Sequence, residues 1–349
     1  MNSVTVITPS RLHLALIDLN GGLGRVDGGI GMSLSHPGFK ITVQRAHETK
    51  IAGQDKSVYR AREVLKLLQE KCGAGPVRVE IEESIPAHVG LGSGTQLSMG
   101  IAQAVCRLYG LDMSHREMAF LVERGGTSGI GVTAFSQGGF IVDGGHGFSN
   151  LSTGRDEKTS FLPSSASRGV APPPVIARYD FPDWDILITI PDCKHISGEG
   201  EVNLFQTLCP LPLNDVQALS HIILMKLLPA LVQRDLRHFG EAVDQIQNMA
   251  WKKVEVEEQD PVVRLTMDFL RENGAYGVGL SSWGPAIFCF GEDLSTLETK
   301  TRAFLEDTDA GGVCFLTQPN NTGAVVIEEQ DGVHGSRSEA ANLQGTFHR

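Results

Sequence analysis

Pro86-Ala-His88-Val-Gly90-Leu91-Gly92-Ser93-Gly94-Thr95-Gln96 is the stretch on which the reading of this chain turns. Upstream of it, residues 77–81 alternate apolar and charged side chains, the pattern of a half-buried strand. Downstream, Leu97, Ile101, Val105 and Leu108 recur at helical spacing and stop before Gly110. A glycine-rich loop between a strand and a helix is the layout of an anion cradle. Glycines let the backbone approach a ligand, free N–H groups point inward, and the helix start adds partial positive charge. No Lys-Ser/Thr pair follows these glycines, and the GxGxxG spacing of dinucleotide sites is absent here. The loop therefore reads as a phosphate site built from His88, Gly90, Leu91, Gly92, Ser93, Gly94 and Thr95. The alternative is a glycine turn that starts a helix and binds nothing.

Composition bounds what such a loop can serve. At roughly 150 residues per domain, 349 residues make about two domains. Hydrophobic residues at 41% and charged residues at 20% fit a folded enzyme-like chain, not a disordered one. A net charge of -11 argues against a nucleic-acid partner, which needs a broad basic surface. It leaves room for a phosphorylated small molecule held by a few Arg side chains and backbone amides. No run of about 18 apolar residues is visible and the N-terminus lacks a secretory pattern, so no membrane contact and a cytoplasmic location are expected. The six cysteines show neither zinc nor CxxC spacing and read as reduced thiols.

Further strands are predicted at residues 4–7, 11–16, 39–44, 140–142, 185–190, 276–280, 286–290, 313–316 and 324–327. Helices are predicted at 57–71 with Ser57 as N-cap and Gly73 past the end, at 96–109, at 114–123, over most of 216–270, and at 294–305. Ser114 with Glu117 three positions on is a capping-box signature. Residues 20–31 hold six glycines and read as a loop. Residues 150–174, with three consecutive prolines at their end, read as a linker or surface excursion. The division is 1–150 for a first domain carrying the phosphate loop, 151–174 for the linker, 175–328 for a second domain and 329–349 for a loose tail. Two more glycine-rich segments, Arg124 to Gly131 and Gly277 to Pro285, each read alone as tight turns; three in one chain raise the prospect that they converge.

Pro86 followed by Gly90-Leu91-Gly92-Ser93 resembles the second motif of the galactokinase, homoserine kinase and mevalonate kinase (GHMP kinase) superfamily. The early strand with Pro9 and Arg11, with glycines at 28 and 29, resembles the first motif, and Gly279-Leu-Ser-Ser-Trp-Gly284 the third. The resemblance implies an α+β chain: a GHMP-kinase-like fold with a ribosomal S5 domain 2-like N-terminal domain, a ferredoxin-like C-terminal domain and a ligand cleft between them. Within the superfamily the chain more closely resembles the beta-ribofuranosylaminobenzene 5'-phosphate synthase family. Arg11-Leu-His-Leu-Ala-Leu-Ile-Asp-Leu19, Gly90-Leu-Gly-Ser-Gly-Thr-Gln96, Gly125 to Phe135, Gly138 to Gly145 and Ser281 to Pro285 all carry that likeness, which runs to about Val326. One departure from the kinases has chemical weight. They place an Asp in a Ser-Gly-x-Asp segment; here it reads Ser128-Gly129-Ile130-Gly131, and Gly131 cannot act as a base.

The resemblance implies a pentosyltransferase that joins 5-phosphoribosyl 1-diphosphate to the carboxylate-bearing ring carbon of 4-aminobenzoate or 4-hydroxybenzoate. Carbon dioxide and diphosphate leave, and the product serves a methanopterin-type one-carbon carrier. Under that reading the loop, with Ser128 and Gly129, holds the diphosphate, and Mg2+ bridges its phosphates with Glu123 as ligand. Asp18 stabilises the cationic anomeric carbon or polarises the para substituent, and Arg25 orients the benzoate carboxylate. A homodimer is expected. Plainer readings stand beside these: Asp18 as a turn former, Arg25 and Glu123 as surface charges, His88 and Trp283 as packing, His13 as a satisfied core residue. Ser197-Gly198 with Glu201 is a further element, expected near a ribose phosphate. The competing functions are an ATP-dependent small-molecule kinase and a ligand-binding protein without catalysis.

Overall fold

A computed structural model describes residues 2–149, 154–163, 167, 169–194 and 198–329. In chain order its elements are β1 (Ser3–Ile7), β2 (Ser10–Asp18), β3 (Arg25–Leu34), β4 (Lys40–Arg45), β5 (Lys50–Ala52), α1 (Asp55–Cys72), β6 (Val77–Glu83), α2 (Ser93–Tyr109), α3 (His115–Leu121), α4 (Ile130–Gln137), β7 (Phe140–Asp143), β8 (His146–Phe148), β9 (Glu157–Lys158) and β10 (Val175–Tyr179). There follow β11 (Ile186–Pro191), α5 (Glu199–Leu208), α6 (Leu213–Ile222), α7 (Leu228–Gln233), α8 (Leu236–Gln247), α9 (Ala250–Glu257), α10 (Pro261–Glu272), β12 (Tyr276–Leu280), β13 (Ile287–Phe290), α11 (Leu294–Asp307), β14 (Gly312–Thr317) and β15 (Val325–Glu329). A π-helical turn, Ile223–Leu227, joins α6 to α7.

Alternation sets the first sheet, β15-β1-β4-β6-β5. Val4 and Val6, Ile41 and Val43, and Val77, Val79 and Ile81 all point to its covered face. Helix α2 lies on β1 and β4 with α1 against it. A second sheet, β10-β7-β3-β8-β9 with β2 on β3, carries α4 on β3 and β2. The third sheet has the order β12-β13-β11-β14, which is 4-1-3-2 read from its last strand. With helices between its first and second strands and between its third and fourth, that is a ferredoxin-like layer. Helices α10 and α11 cover one face through Val263, Met267 and Leu297, and α8 packs on the other through Phe239, against Phe288 and Phe290. β15 then returns across the molecule and pairs with β1.

Several local expectations change. Helix α1 begins at Asp55 after an extended Gln54, so Ser57 lies inside its first turn and does not cap it. Gly73 does end it, in the left-handed conformation. Helix α2 starts at Ser93, inside the glycine motif, three residues before the expected start. The capping box of α3 is present in both directions. The glycine-rich 20–31 segment is mostly strand, because β3 starts at Arg25. Within 150–174, β9 pairs in parallel with β8 and Lys158 is buried, so that stretch is partly built into the second sheet. The run Leu213–Gln233 is long and apolar enough, by length and composition, to cross a membrane; a third of its most apolar window is buried, and it packs on α8 and β2. Ser197 and residues 330–349 of the expected tail lie outside the described residues.

Candidate active site

Strand β2 supplies one wall of a cavity of about 570 Å³. Arg11 and His13 face it from alternate positions. A bulge in the β2–β3 pairing between His13 and Ala15 then shifts the phase, so that Leu16 faces the same cavity.

The three glycine-rich segments meet here. Gly90 adopts φ +91, and a Cβ on it would sit 2.2 Å from the Ser281 carbonyl oxygen. The Ser281 hydroxyl donates to the Gly90 carbonyl at 2.7 Å, the His13 amide donates to Ser281 Oγ at 3.1 Å, and the Ser282 amide donates to the His13 carbonyl at 2.9 Å. Gly92 is the N-cap of α2 at φ +79, without a side-chain cap, and a Cβ there would meet Arg11 Cγ at 2.8 Å. The first turn of α2 thus opens onto the cavity through Ser93, Gly94 and Thr95. Arg124, Gly125, Thr127 and Ser128 line the cavity from the second segment.

Gly131 lies in the first turn of α4. A Cβ there would come within 3.2 Å of Thr95 Cγ2, and the Gln96 amide donates to the Gly131 carbonyl at 2.8 Å. The position that holds an acid in the kinases therefore lines the cavity without a side chain, tight against Thr95.

A set of charges lies beside the arch. Burial lowers the Arg11 guanidinium to about 10, with Glu255 pulling the other way, and Arg11 donates to the Gly90 carbonyl. Lys252, fully buried, pairs with Glu255 and donates to the Leu280 carbonyl at 3.1 Å; burial lowers its pKa and Glu255 opposes that. His13 is 5% exposed, and neither ring nitrogen has a hydrogen-bond partner among the described residues. Burial first, then the charges of Arg11 and Lys252, hold it well below the usual histidine range, so its ring is neutral. This replaces the expectation of a satisfied core histidine: a buried polar ring facing a cavity without a protein partner is a place for a ligand atom. Glu201 of α5 is pushed up to about 7 by burial and by Glu255, while a hydrogen bond from Trp283 works against the rise. Leu16, Phe205 and Trp283 form the apolar wall at this end, backed by Trp251.

Of the residues anticipated from the sequence, His88, Gly90, Gly92, Ser93, Gly94, Thr95 and Ser128 line the cavity. Leu91 is buried beneath the arch, and its carbonyl accepts the Arg11 amide at 3.2 Å. The Gly129 amide donates to the buried Asp143 carboxylate at 2.9 Å, so that residue braces the second segment. Asp18 ends β2 two residues past Leu16; its Oδ1 accepts the Asn20 and Gly21 amides at 2.7 and 3.0 Å. Arg25 donates to the carbonyls of Gly144 and Gly145 at 2.9 and 2.7 Å. Neither Asp18 nor Arg25 is among the cavity-lining residues. Glu123 is exposed at φ +57 beyond α3 and also lies outside the lining. Among the described residues no group of three or more His, Cys, Asp or Glu side chains forms a metal cage. Glu123, expected as the magnesium ligand, is thus not brought to the cavity.

A glycine arch at a helix start, closed by a turn from a ferredoxin-like layer, defines a protein of the GHMP kinase type. The profile of the GHMP kinases N terminal domain matches residues 58–139, and that of the GHMP kinases C terminal matches residues 227–307. The homoserine kinase structure from Cytophaga hutchinsonii superposes with a TM-score of 0.67 at 16% identity, covering 94% of this chain and 98% of that one. A mevalonate diphosphate decarboxylase from Staphylococcus aureus gives 0.59 at 12% identity, covering 94% and 98%. These show the fold. Beta-ribofuranosylphenol 5'-phosphate synthase of Archaeoglobus fulgidus is 42% identical over 320 residues, 91% of this chain and 98% of the relative. The protein of that name from Methanothermobacter thermautotrophicus is 46% identical over 292 residues, 80% and 86% of the two chains. The chain belongs to the beta-ribofuranosylphenol 5'-phosphate synthase family, a family of enzymes.

Proposed function

We propose that this chain catalyses decarboxylative C-glycosylation, joining 5-phosphoribosyl 1-diphosphate to 4-hydroxybenzoate. The ring carbon that bears the carboxylate bonds to the anomeric carbon, diphosphate departs with its electron pair, and carbon dioxide leaves its electrons in the ring. The relatives' name, with its phenol, supports the hydroxy acceptor over the amino one. The observation that carries the reading is the pairing of an intact phosphate arch with Gly131 and Thr95 where a kinase needs its acid. Backbone amides at the α2 start, with Arg11 and Arg124 nearby, would hold the diphosphate as negative charge develops on it. Mg2+ belongs to the proposal only as the cation that diphosphate carries from solution. The product suits a methanopterin-type carrier.

The direct test mixes purified protein, phosphoribosyl diphosphate, Mg2+ and carboxyl-labelled 4-hydroxybenzoate. Labelled carbon dioxide and diphosphate released without ATP support the proposal; ATP consumption with an alcohol acceptor supports the kinase. Asp18, for the cationic anomeric carbon or the para substituent, and Arg25, for acceptor orientation, belong to the proposal although neither lines the cavity. Asp18→Asn retains an oxygen for the Asn20–Gly21 turn and removes the charge, so turnover should fall about 10²-fold with the melting temperature preserved. Arg25→Gln should raise the acceptor KM roughly 10-fold and change kcat less. Wild-type kinetics in both variants would remove these two assignments.

A further inference from the structure

We propose that Glu201 is the catalytic base that takes the para-hydroxyl proton of the acceptor and returns it once carbon dioxide has left. The inference rests on the reaction proposed above and assigns a role within it.

The cavity has two unlike regions. One is the arch, with its amides, hydroxyls and arginines. The other is the wall of Leu16, Phe205 and Trp283, continuous with Leu19, Leu211 and Trp251 behind it. A benzene ring belongs against the second, and a phosphate against the first. Glu201 and Phe205 stand four residues apart on α5, so their side chains share one helix face, and both line the cavity. The carboxyl is thus presented beside the ring wall, and Trp283, from the turn that closes the arch, lines the same end of the cavity. A ring laid on this wall with its hydroxyl toward Glu201 directs its para carboxylate carbon away from the acid. The neutral His13 ring, without a protein partner, faces the same space and is free to meet a polar atom of the bound molecules.

The surroundings suit a base that works near neutrality. Glu255 of α9 and Trp283 of the third glycine turn act on Glu201; Arg11 and His13 of β2 line the same cavity, and buried Lys252 reaches it only through its pair with Glu255. Lys252 pairs with Glu255, so Glu255 is committed, while the charge of Glu255 and burial raise Glu201 to about 7. The step balances. The ionised Glu201 removes the phenolic proton, and the ring carbon bonds to the anomeric carbon as the bond to diphosphate breaks. The resulting dienone loses carbon dioxide, whose bonding pair restores the aromatic phenolate, and Glu201 returns the proton. No oxidant or net proton is required.

The test compares 4-hydroxybenzoate with 3,5-difluoro-4-hydroxybenzoate, whose phenol is already ionised at neutral pH. With wild-type protein, kcat for 4-hydroxybenzoate should rise with pH through about 7, as Glu201 ionises, and the fluorinated acceptor should lack that rise. Glu201→Gln should lose about 10²- to 10⁴-fold in kcat with 4-hydroxybenzoate but less than about 10-fold with the fluorinated acceptor. A merely structural role would depress both equally. Equal losses, an unchanged variant, or identical wild-type pH profiles for the two acceptors overturn the role of Glu201 and leave the reaction standing. A wild-type protein inert towards both acceptors overturns the reaction, and this role with it.

Discussion

Gly90→Ala is expected to cut turnover by at least about 10²-fold while Gly94→Ala, four residues on, stays within a few-fold of wild type. The contrast follows from what each new methyl would meet. Gly90 sits at φ +91, where an L-residue is strained by roughly 1–2 kcal/mol. Its Cβ would also lie 2.2 Å from the Ser281 carbonyl oxygen, which is backbone and cannot rotate away. Ser281 is held from several sides: its hydroxyl to Gly90, its amide to Ala286 at 2.9 Å, and its Oγ under the His13 amide. The clash must therefore separate the arch from the turn that closes it. Arg11, anchored on the Gly90 carbonyl, and His13, anchored on Ser281 and Ser282, would move with it. A displacement of about 1 Å in such a constellation is enough for a 10²-fold loss. At Gly94 no positive φ is needed, and the nearest atom is the end of the flexible Arg124 side chain at 3.4 Å. Steady-state kinetics on both variants decide the matter, and a Gly90→Ala enzyme within about fivefold of wild type would show that the arch is not part of the site.

The arch was legible because strand, loop and helix stand consecutively, so local physics and sequence order coincide. The same holds for α3, whose Ser114–Glu117 box is a four-residue signal. β3 was hidden for the opposite reason. Its glycines look like loop residues, yet a Cβ at Gly31 would strike the Leu12 carbonyl at 2.3 Å, and one at Gly29 would strike Asp143 Oδ2 at 2.9 Å. They are there for close approach between strands and α4, which no local pattern announces. Ser57 is a good capping residue in the wrong place, and the chain starts the helix two residues earlier without a side-chain cap. The polar cluster as a whole was beyond reach for a third reason. Glu201 belongs to an element the sequence singled out, but His13, Glu201 and the Lys252–Glu255 pair come from β2, α5 and α9, so no spacing links the three. On its own helix Lys252, beside Lys253, reads as a solvated charge; only the fold shows that one is buried and the other exposed. His13 between two leucines reads as core, and its missing partners become visible only when every neighbour is in place.

Asp27→Ala is expected to lower the melting temperature by about 5 °C, and adding Lys158→Met to it should restore much of the loss. Asp27 is 1% exposed on β3. Its carboxylate takes Lys158 Nζ at 3.2 and 3.1 Å and meets His146 Nδ1 at 2.7 Å. Lys158 in turn donates to the Leu162 carbonyl at 2.9 Å, so the ion pair fastens the segment that brings Pro163 to the cavity. Alanine at 27 removes the negative partner and leaves an ammonium 4% exposed with no compensating charge in the pair. Breaking a buried pair from one side costs about 3–5 kcal/mol, and in a chain of this size each kcal/mol moves the midpoint by roughly 1–2 °C. The double variant discriminates between two meanings of that loss. If the cost comes from the stranded ammonium, replacing it with an apolar chain of similar length removes the cost, because a buried pair exchanged for apolar groups is often neutral. If instead the carboxylate is needed to set the strand, where Asp27 and Gly28 both take positive φ opposite Asp18, the second substitution recovers nothing. Thermal unfolding of the two single variants and the double variant separates these cases, and a single Asp27→Ala protein melting within about 2 °C of wild type would show that the pair does not hold the segment at all.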